Sequence, residues 1–453
     1  MRLTPPLTSN ATAAAGSGGA LSRRRLLQLM GAAATVPVLG STAACESPGS
    51  TSGGGGGGGG GDTLTFVYRG DANQQEAFNK LFAEFNKVEP DIKLKAQGIA
   101  ADTWGDFSNT VATRIAGGQV PDIIQIATEG QRIFASKDLL EPLEPYMERD
   151  KDVVDDYFAD IDPNLVEWNT KYASHDGKTY YIPGGYNTVC FWYNTETWAA
   201  AGAEPPAPGW TWDDFLAAAD KLKAAGVYIL PIGSDPFTAI MPWMLTNGGS
   251  PLDEEWTTAT FDTPQSIESL QFCRDLIANG YAPEPGGAFD AGEALTKGTL
   301  AAIAGGRWPV IDMRRLDLVD KMAIVPMPQK TGPGSPVGWD AWPITKASEK
   351  KDAAWTFIKF MMSKEASEYY ASIGGTIVPA RLSVANSPAF TDNAPEGTTA
   401  LSEAISYATP VPSPDRGAEV QTAMINAWDK ALSGNESPEA ALAQANEELA
   451  ALL

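Results

Sequence analysis

Histidine is almost missing from this chain of 453 residues: His175 stands alone, and cysteine occurs only at 45, 190 and 273. A zinc site built from several imidazoles and a Cys-x-x-Cys redox pair are therefore excluded, and no metal or other cofactor is expected. Positive charge is also scarce, with 33 Lys and Arg against 56 Asp and Glu. The formal charge of −23 opposes binding to a phosphate backbone, where cationic side chains supply most of the affinity, so nucleic acid is not expected as a partner. The apolar content of 43% is that of an ordinary globular protein, and the length suits two lobes better than one core.

The first 44 residues lack acids altogether. Ser22, Arg23, Arg24, Leu26 and Leu27 precede a weakly apolar stretch and then Thr42, Ala43, Ala44 and Cys45. This resembles a twin-arginine export signal ending in a lipoprotein cleavage box, with Cys45 as the lipidated residue. Gln28, Pro37 and Gly40 interrupt a segment already shorter than the roughly 20 apolar residues needed to span a bilayer. Without its four arginines the remaining chain has 29 basic and 56 acidic residues, a net of −27. Residues 45–61, with an unbroken glycine run from Gly53 to Gly61, read as a flexible tether. No strand precedes those glycines and no Gly-Lys-Ser/Thr follows them, which argues against a phosphate-binding loop.

From residue 62 the pattern alternates between strand and helix. Leu64, Phe66 and Tyr68 fall on one face at period two. Asp71 then caps a helix bearing Phe78, Leu81, Phe82, Phe85 and Val88. A second strand at residues 92–96, a helix with Trp104, Phe107, Val111 and Ile115, and the apolar run of residues 122–127 complete a β-α-β-α-β unit. Connections of that length favour parallel strands, and ligands of parallel sheets sit beyond the strands' carboxyl ends. The loops at Arg69–Asp71 and Thr128–Gly130 are therefore the first places to look for a site.

Further on, a turn at Asp176-Gly177 leads to a strand, a Pro-Gly-Gly crossing at residues 183–185 and another strand. Thr211 then caps a helix through Asp214, with Trp212, Phe215, Leu216, Ala219 and Leu222 as its apolar face. These segments occur in order with residues 121–127, the Gly305-Gly306-Arg307-Trp308 turn, the run at residues 335–381 and a terminal helix pair opened by Ser437-Pro438. Together they resemble the family 1 extracellular solute-binding proteins of ABC importers, the maltose-binding-protein-like group, over residues 62–453.

The resemblance implies an α/β type II periplasmic-binding-protein-like fold, with two lobes joined by hinge crossings near residues 182–188, 337–344 and 375–381. One lobe would comprise residues 62–185 and 341–378, the other residues 186–340 and 379–453. A ligand touching both lobes only when they close shifts the population toward the closed form. It further implies a sugar cargo, delivered unchanged by a monomer on a lipid anchor to a membrane permease served by an ATPase subunit.

Candidate ligand contacts follow from the same resemblance. Glu129 stands where sugar-binding members place a carboxylate on ligand hydroxyls, and Arg69 and Asp71 occupy the neighbouring loop. Tyr186 and Asn187 lie at the first crossing. Maltose-binding protein looks to have an acid where Asn187 stands, and loss of that charge argues against maltodextrin specificity. Trp308 is the foremost aromatic platform, since an indole face stacks on the apolar face of a sugar ring. Trp339, Asp340 and Trp342 lie at the second crossing. Arg307 can pair with an acidic ligand or with a carboxylate of its own protein, and Trp243 reads as helix core or as a further platform. Cys190 and Cys273 are expected as buried thiols, and His175 as exposed and without a role.

Other readings place polyols or glycerol phosphate esters in the cleft, or make Glu129 and Asp340 the paired carboxylates of a secreted carbohydrate-active enzyme. The latter pairing requires a separation of about 5 to 9 Å. A purely structural surface protein is a third class, distinguished by the absence of any ligand-induced stabilisation.

Overall fold

The computed structural model describes residues 63–70, 72–101, 103–285, 289–373 and 375–453. The signal, the tether, Cys45 and Asp71 lie outside the described residues. Strands β1 (Thr63–Arg69), β2 (Lys93–Ile99) and β3 (Ile123–Ile124) form a sheet of order β2-β1-β3 in which both pairings are parallel. Leu64, Phe66 and Tyr68 are completely buried, as the period-two pattern predicts. Their partner helix Ala72–Val88 buries Phe78, Leu81, Phe82 and Phe85, and Phe66 meets Phe78, Phe82 and Phe357 at centroid distances of 5.1, 5.5 and 5.9 Å. Such aromatic pairs contribute about 0.5–1.5 kcal/mol each beyond their buried area. Val88 departs from the expected face: it is the helix's last residue and is 64% exposed.

The run at residues 122–127 reads as a single strand but is divided. β3 stays in the first sheet, whereas β4 (Ile126–Ala127) crosses to pair antiparallel with β9 (Ser335–Trp342). Gln125 sits at the break. A mixed sheet then runs in the order β10-β5-β9-β11, from β5 (Ile182–Thr188), β10 (Val378–Pro379) and β11 (Ala408–Pro410), with β4 on the other part of β9. The strand expected before the Pro-Gly-Gly run is absent: residues 178–181 are irregular, and β5 itself contains the two glycines. The three segments expected as crossings are thus hydrogen-bonded neighbours in one sheet.

After Val189 the chain enters β6 (Cys190–Asn194), the centre of a third sheet, flanked antiparallel by β7 (Ala302–Gly305) and β8 (Met322–Val325). The helix Trp212–Ala224 begins with a full capping box: the Thr211 hydroxyl accepts from the Asp214 amide, and the Asp214 carboxylate accepts from the Thr211 amide. Ser437 caps the terminal helix Pro438–Leu452, with Pro438 in its first turn. Cys190 and Cys273 are separate, fully buried thiols, and His175 is exposed. Among the described residues no helix is long and apolar enough to cross a membrane.

Candidate ligand-binding site

The helix Thr128–Ser136 starts directly at the end of β4, so Glu129 lies in its first turn. Next to β4, the Asp340 side chain on β9 is buried and accepts a hydrogen bond from Gln125 Nε2 at 2.6 Å. Burial pushes the Asp340 carboxyl up to about 7, against the opposing effects of the Gln125 hydrogen bond and the Arg69 charge. Glu129, reached by solvent along one side, is also raised to about 7; burial is the main cause, Asp235 and Asp340 add like charge, and Arg69 opposes.

Arg69, at the end of β1, supplies the guanidinium that opposes both shifts. Its Nε donates to the Ala101 carbonyl at 3.0 Å, and its guanidinium lies 5.2 Å from the centre of the Trp104 ring. Tyr370 stacks on Phe78 at 5.8 Å, and burial, together with the Asp340 charge, raises its phenol well above its ordinary value. Opposite, Gly338 of β9 leaves bare backbone; a methyl there would sit 3.4 Å from the Phe237 ring and 3.7 Å from the Thr128 hydroxyl. Phe237 meets Trp308 at 6.0 Å with an interplanar angle of 44°. Asp235, which caps the turn carrying Phe237, supplies the third carboxylate.

These residues share one property: Arg69, Trp104, Glu129, Asp235, Phe237, Trp308 and Tyr370 all keep part of their surface open. Among the described residues the result is a patch with aromatic faces, the acids Glu129 and Asp235 with Asp340 buried beneath them, and the cation Arg69, suited to a donor-rich ligand that also offers an apolar face. A surface depression of about 720 Å³ bordered by Phe158, Ile161, Val166 and Lys171 holds none of these groups.

Six of the other expected contacts are engaged by the protein's own residues. Trp339 is fully buried, donates from its indole nitrogen to Asn169 Oδ1 at 3.3 Å and stacks on Trp168, because alternation on β9 points it opposite to Asp340. Trp342 lies against Gly184, where a methyl would meet its ring at 2.2 Å. Tyr186 is buried, its hydroxyl donating to the Ser402 carbonyl. Trp243 packs among Trp212, Phe215 and Phe272 in a helix core. Arg307 is 1% exposed and pairs with no carboxylate among the described residues: it donates to the Thr398 hydroxyl and the Phe390 carbonyl, and burial lowers its pKa to about 10. Asn187 spends its amide on two internal contacts, accepting from the Arg307 backbone amide at 2.8 Å and donating to the Thr376 carbonyl at 3.2 Å.

Trp104, Asp235, Phe237 and Tyr370 were not among the expected contacts. Asp235-Pro236 carries a helix-start signal, but nothing in the sequence directs Phe237 toward Trp308, 71 positions on.

Residues 80–398 match the family described as bacterial extracellular solute-binding protein. The chain belongs to that family. This solute-binding protein is 24% identical over 303 residues to an arabinooligosaccharide-binding protein of Bacillus subtilis, covering 64% of its own length and 67% of the relative. A relative from Sinorhizobium fredii is 27% identical over 49% of this chain and 52% of its own. Among solved structures, an ABC substrate-binding protein of Listeria monocytogenes in complex with cycloalternan superposes with a TM-score of 0.75 at 24% identity, over 86% of this chain and 98% of that one. Maltose-bound MalE3 of T. maritima gives 0.74 at 22%, over 86% and 100%. The solute-binding protein thus has the two-lobe type II periplasmic-binding fold.

Proposed function

We propose that this protein captures a sugar, a mono- or oligosaccharide, between residues 62–185 plus 341–378 and residues 186–340 plus 379–453, and delivers it unaltered to an ABC permease. The observation that carries the reading is the Trp308–Phe237 pair, with Phe237 lying across bare Gly338 from the Thr128 hydroxyl, next to Glu129 in the chain. Carboxylates accept from sugar hydroxyls, and the rings cover the apolar face of a pyranose or furanose. The arabinooligosaccharide-binding relative and the cycloalternan- and maltose-bound neighbours support the same ligand class.

Glu129, Asp235 and Asp340 against Arg69 disfavour an anionic cargo such as a glycerol phosphate ester. The sugar is released intact, since Asp340 is buried and hydrogen-bonded to Gln125 rather than presented to a glycosidic bond. The Ser22–Leu27 motif supports twin-arginine export, and Cys45 supports a lipid anchor at the outer face of the cytoplasmic membrane, with the protein acting as a monomer. A thermal-shift screen over mono- and oligosaccharides, polyols and glycerophosphodiesters tests the ligand class. Sugars raise the melting temperature by linkage; stabilisation by phosphodiesters alone contradicts it.

A further inference from the structure

Gly306 separates two side chains. A methyl built at Gly306 would lie 2.4 Å from the Trp308 ring on one side and 2.6 Å from Asn187 Oδ1 on the other. A side chain at this position would force the Trp308 ring or Asn187 to move. Asn187 is on β5, its Oδ1 holds the Arg307 backbone amide, and its Nδ2 holds the Thr376 carbonyl two residues before β10. One amide therefore joins the tryptophan turn to two of the crossing segments.

The Arg307 side chain supplies the second anchor. Its guanidinium lies 4.4 Å from the Phe390 ring centre, donates to Phe390 O and Thr398 Oγ1 at 2.9 Å each, and has no carboxylate partner among the described residues. Burying a guanidinium without a counter-charge is costly, so those two contacts and the ring must hold it in place. A side chain fixed in this way fixes the backbone that carries it, and the next residue is Trp308.

We propose that Asn187 and Arg307 are positioning residues that set the orientation of Trp308 and tie it to the crossings, instead of touching the ligand themselves. This rests on Trp308 being the aromatic platform of the proposed function. A ring held from behind loses little freedom when a sugar stacks on it, which favours binding.

The test uses ligand-free protein labelled with 5-fluorotryptophan. Of the thirteen tryptophans, the Trp308 fluorine resonance is the one lost in W308F. T398V removes one of the two acceptors of Arg307, T398S retains it, and N187A removes the other anchor. The expected result is a Trp308 resonance that splits or broadens, with an altered H2O/D2O isotope shift, in T398V and N187A but not in T398S. A single sharp Trp308 line with the wild-type isotope shift in both T398V and N187A overturns the proposal. Because no sugar is added, this outcome is separate from failure of the sugar-binding reading, which the thermal-shift screen detects.

Discussion

Gln125 donates to Asp340 across 215 positions of sequence, at 2.6 Å and out of contact with solvent. The contact joins the break between β3 and β4 to the middle of β9, and places one acid behind another, Glu129. Two carboxyls raised to about 7 in one site store an electrostatic cost that a ligand can relieve.

The first consequence concerns the ligand-free protein. An acid whose folded-state pKa exceeds its unfolded value near 4 holds its proton longer when folded, so its effect on stability is absent below pH 4. Stability then falls as pH rises from about 4 to 7, and the full cost persists above 7. Glu129→Gln and Asp340→Asn should each raise the melting temperature at pH 8, by on the order of 1–3 kcal/mol of stability. The gain should vanish toward pH 4. Scanning calorimetry at the two pH values checks both statements.

Sugar binding should show the opposite preference. Hydroxyls that donate to Glu129 favour its ionised form, so affinity falls as pH drops from 8 to 5.5 and binding near pH 7 releases protons. Titration calorimetry in buffers of different ionisation enthalpy measures the proton count. Proton uptake on binding would be the contrary result.

Trp308 and Trp339 should separate cleanly. Trp308→Ala removes a partly exposed ring and is expected to weaken sugar binding more than tenfold, over 1 kcal/mol, with little loss of stability. Trp339→Ala empties a fully buried site and should cost about 3–5 kcal/mol of folding stability. Denaturant unfolding and binding titrations on the two variants discriminate the roles.

Gly184 has no room for a side chain, since a methyl there overlaps the Trp342 ring. Gly184→Ala should therefore destabilise the protein by about 1–3 kcal/mol through overpacking. Trp342→Phe in the same chain should recover part of the loss, which chemical denaturation would reveal.

Much of this fold was legible because it rests on local periodicity. The burial of Leu64, Phe66 and Tyr68, the Thr211 capping box and the Ser437 cap all follow from neighbouring residues. The division of residues 122–127 into β3 and β4 was not, because β4 is claimed by a partner more than 200 positions away. The site was legible in part for the same reason. Arg69, Glu129 and Trp308 lie at or just after strand ends, where the resemblance places contacts, but Trp339 and Asp340 point opposite ways on β9. Register decides which of the two faces the cleft, and pairing between β5 and β9 sets that register. Phe237 and Tyr370 enter the site only through tertiary packing.

Small-angle X-ray scattering on the protein with and without a sugar that raises its melting temperature tests the closure mechanism most directly. The account predicts a smaller radius of gyration in the saturated sample, and recovery of the same intact sugar after denaturation. Superposable profiles at saturation, or a cleaved sugar, would contradict it.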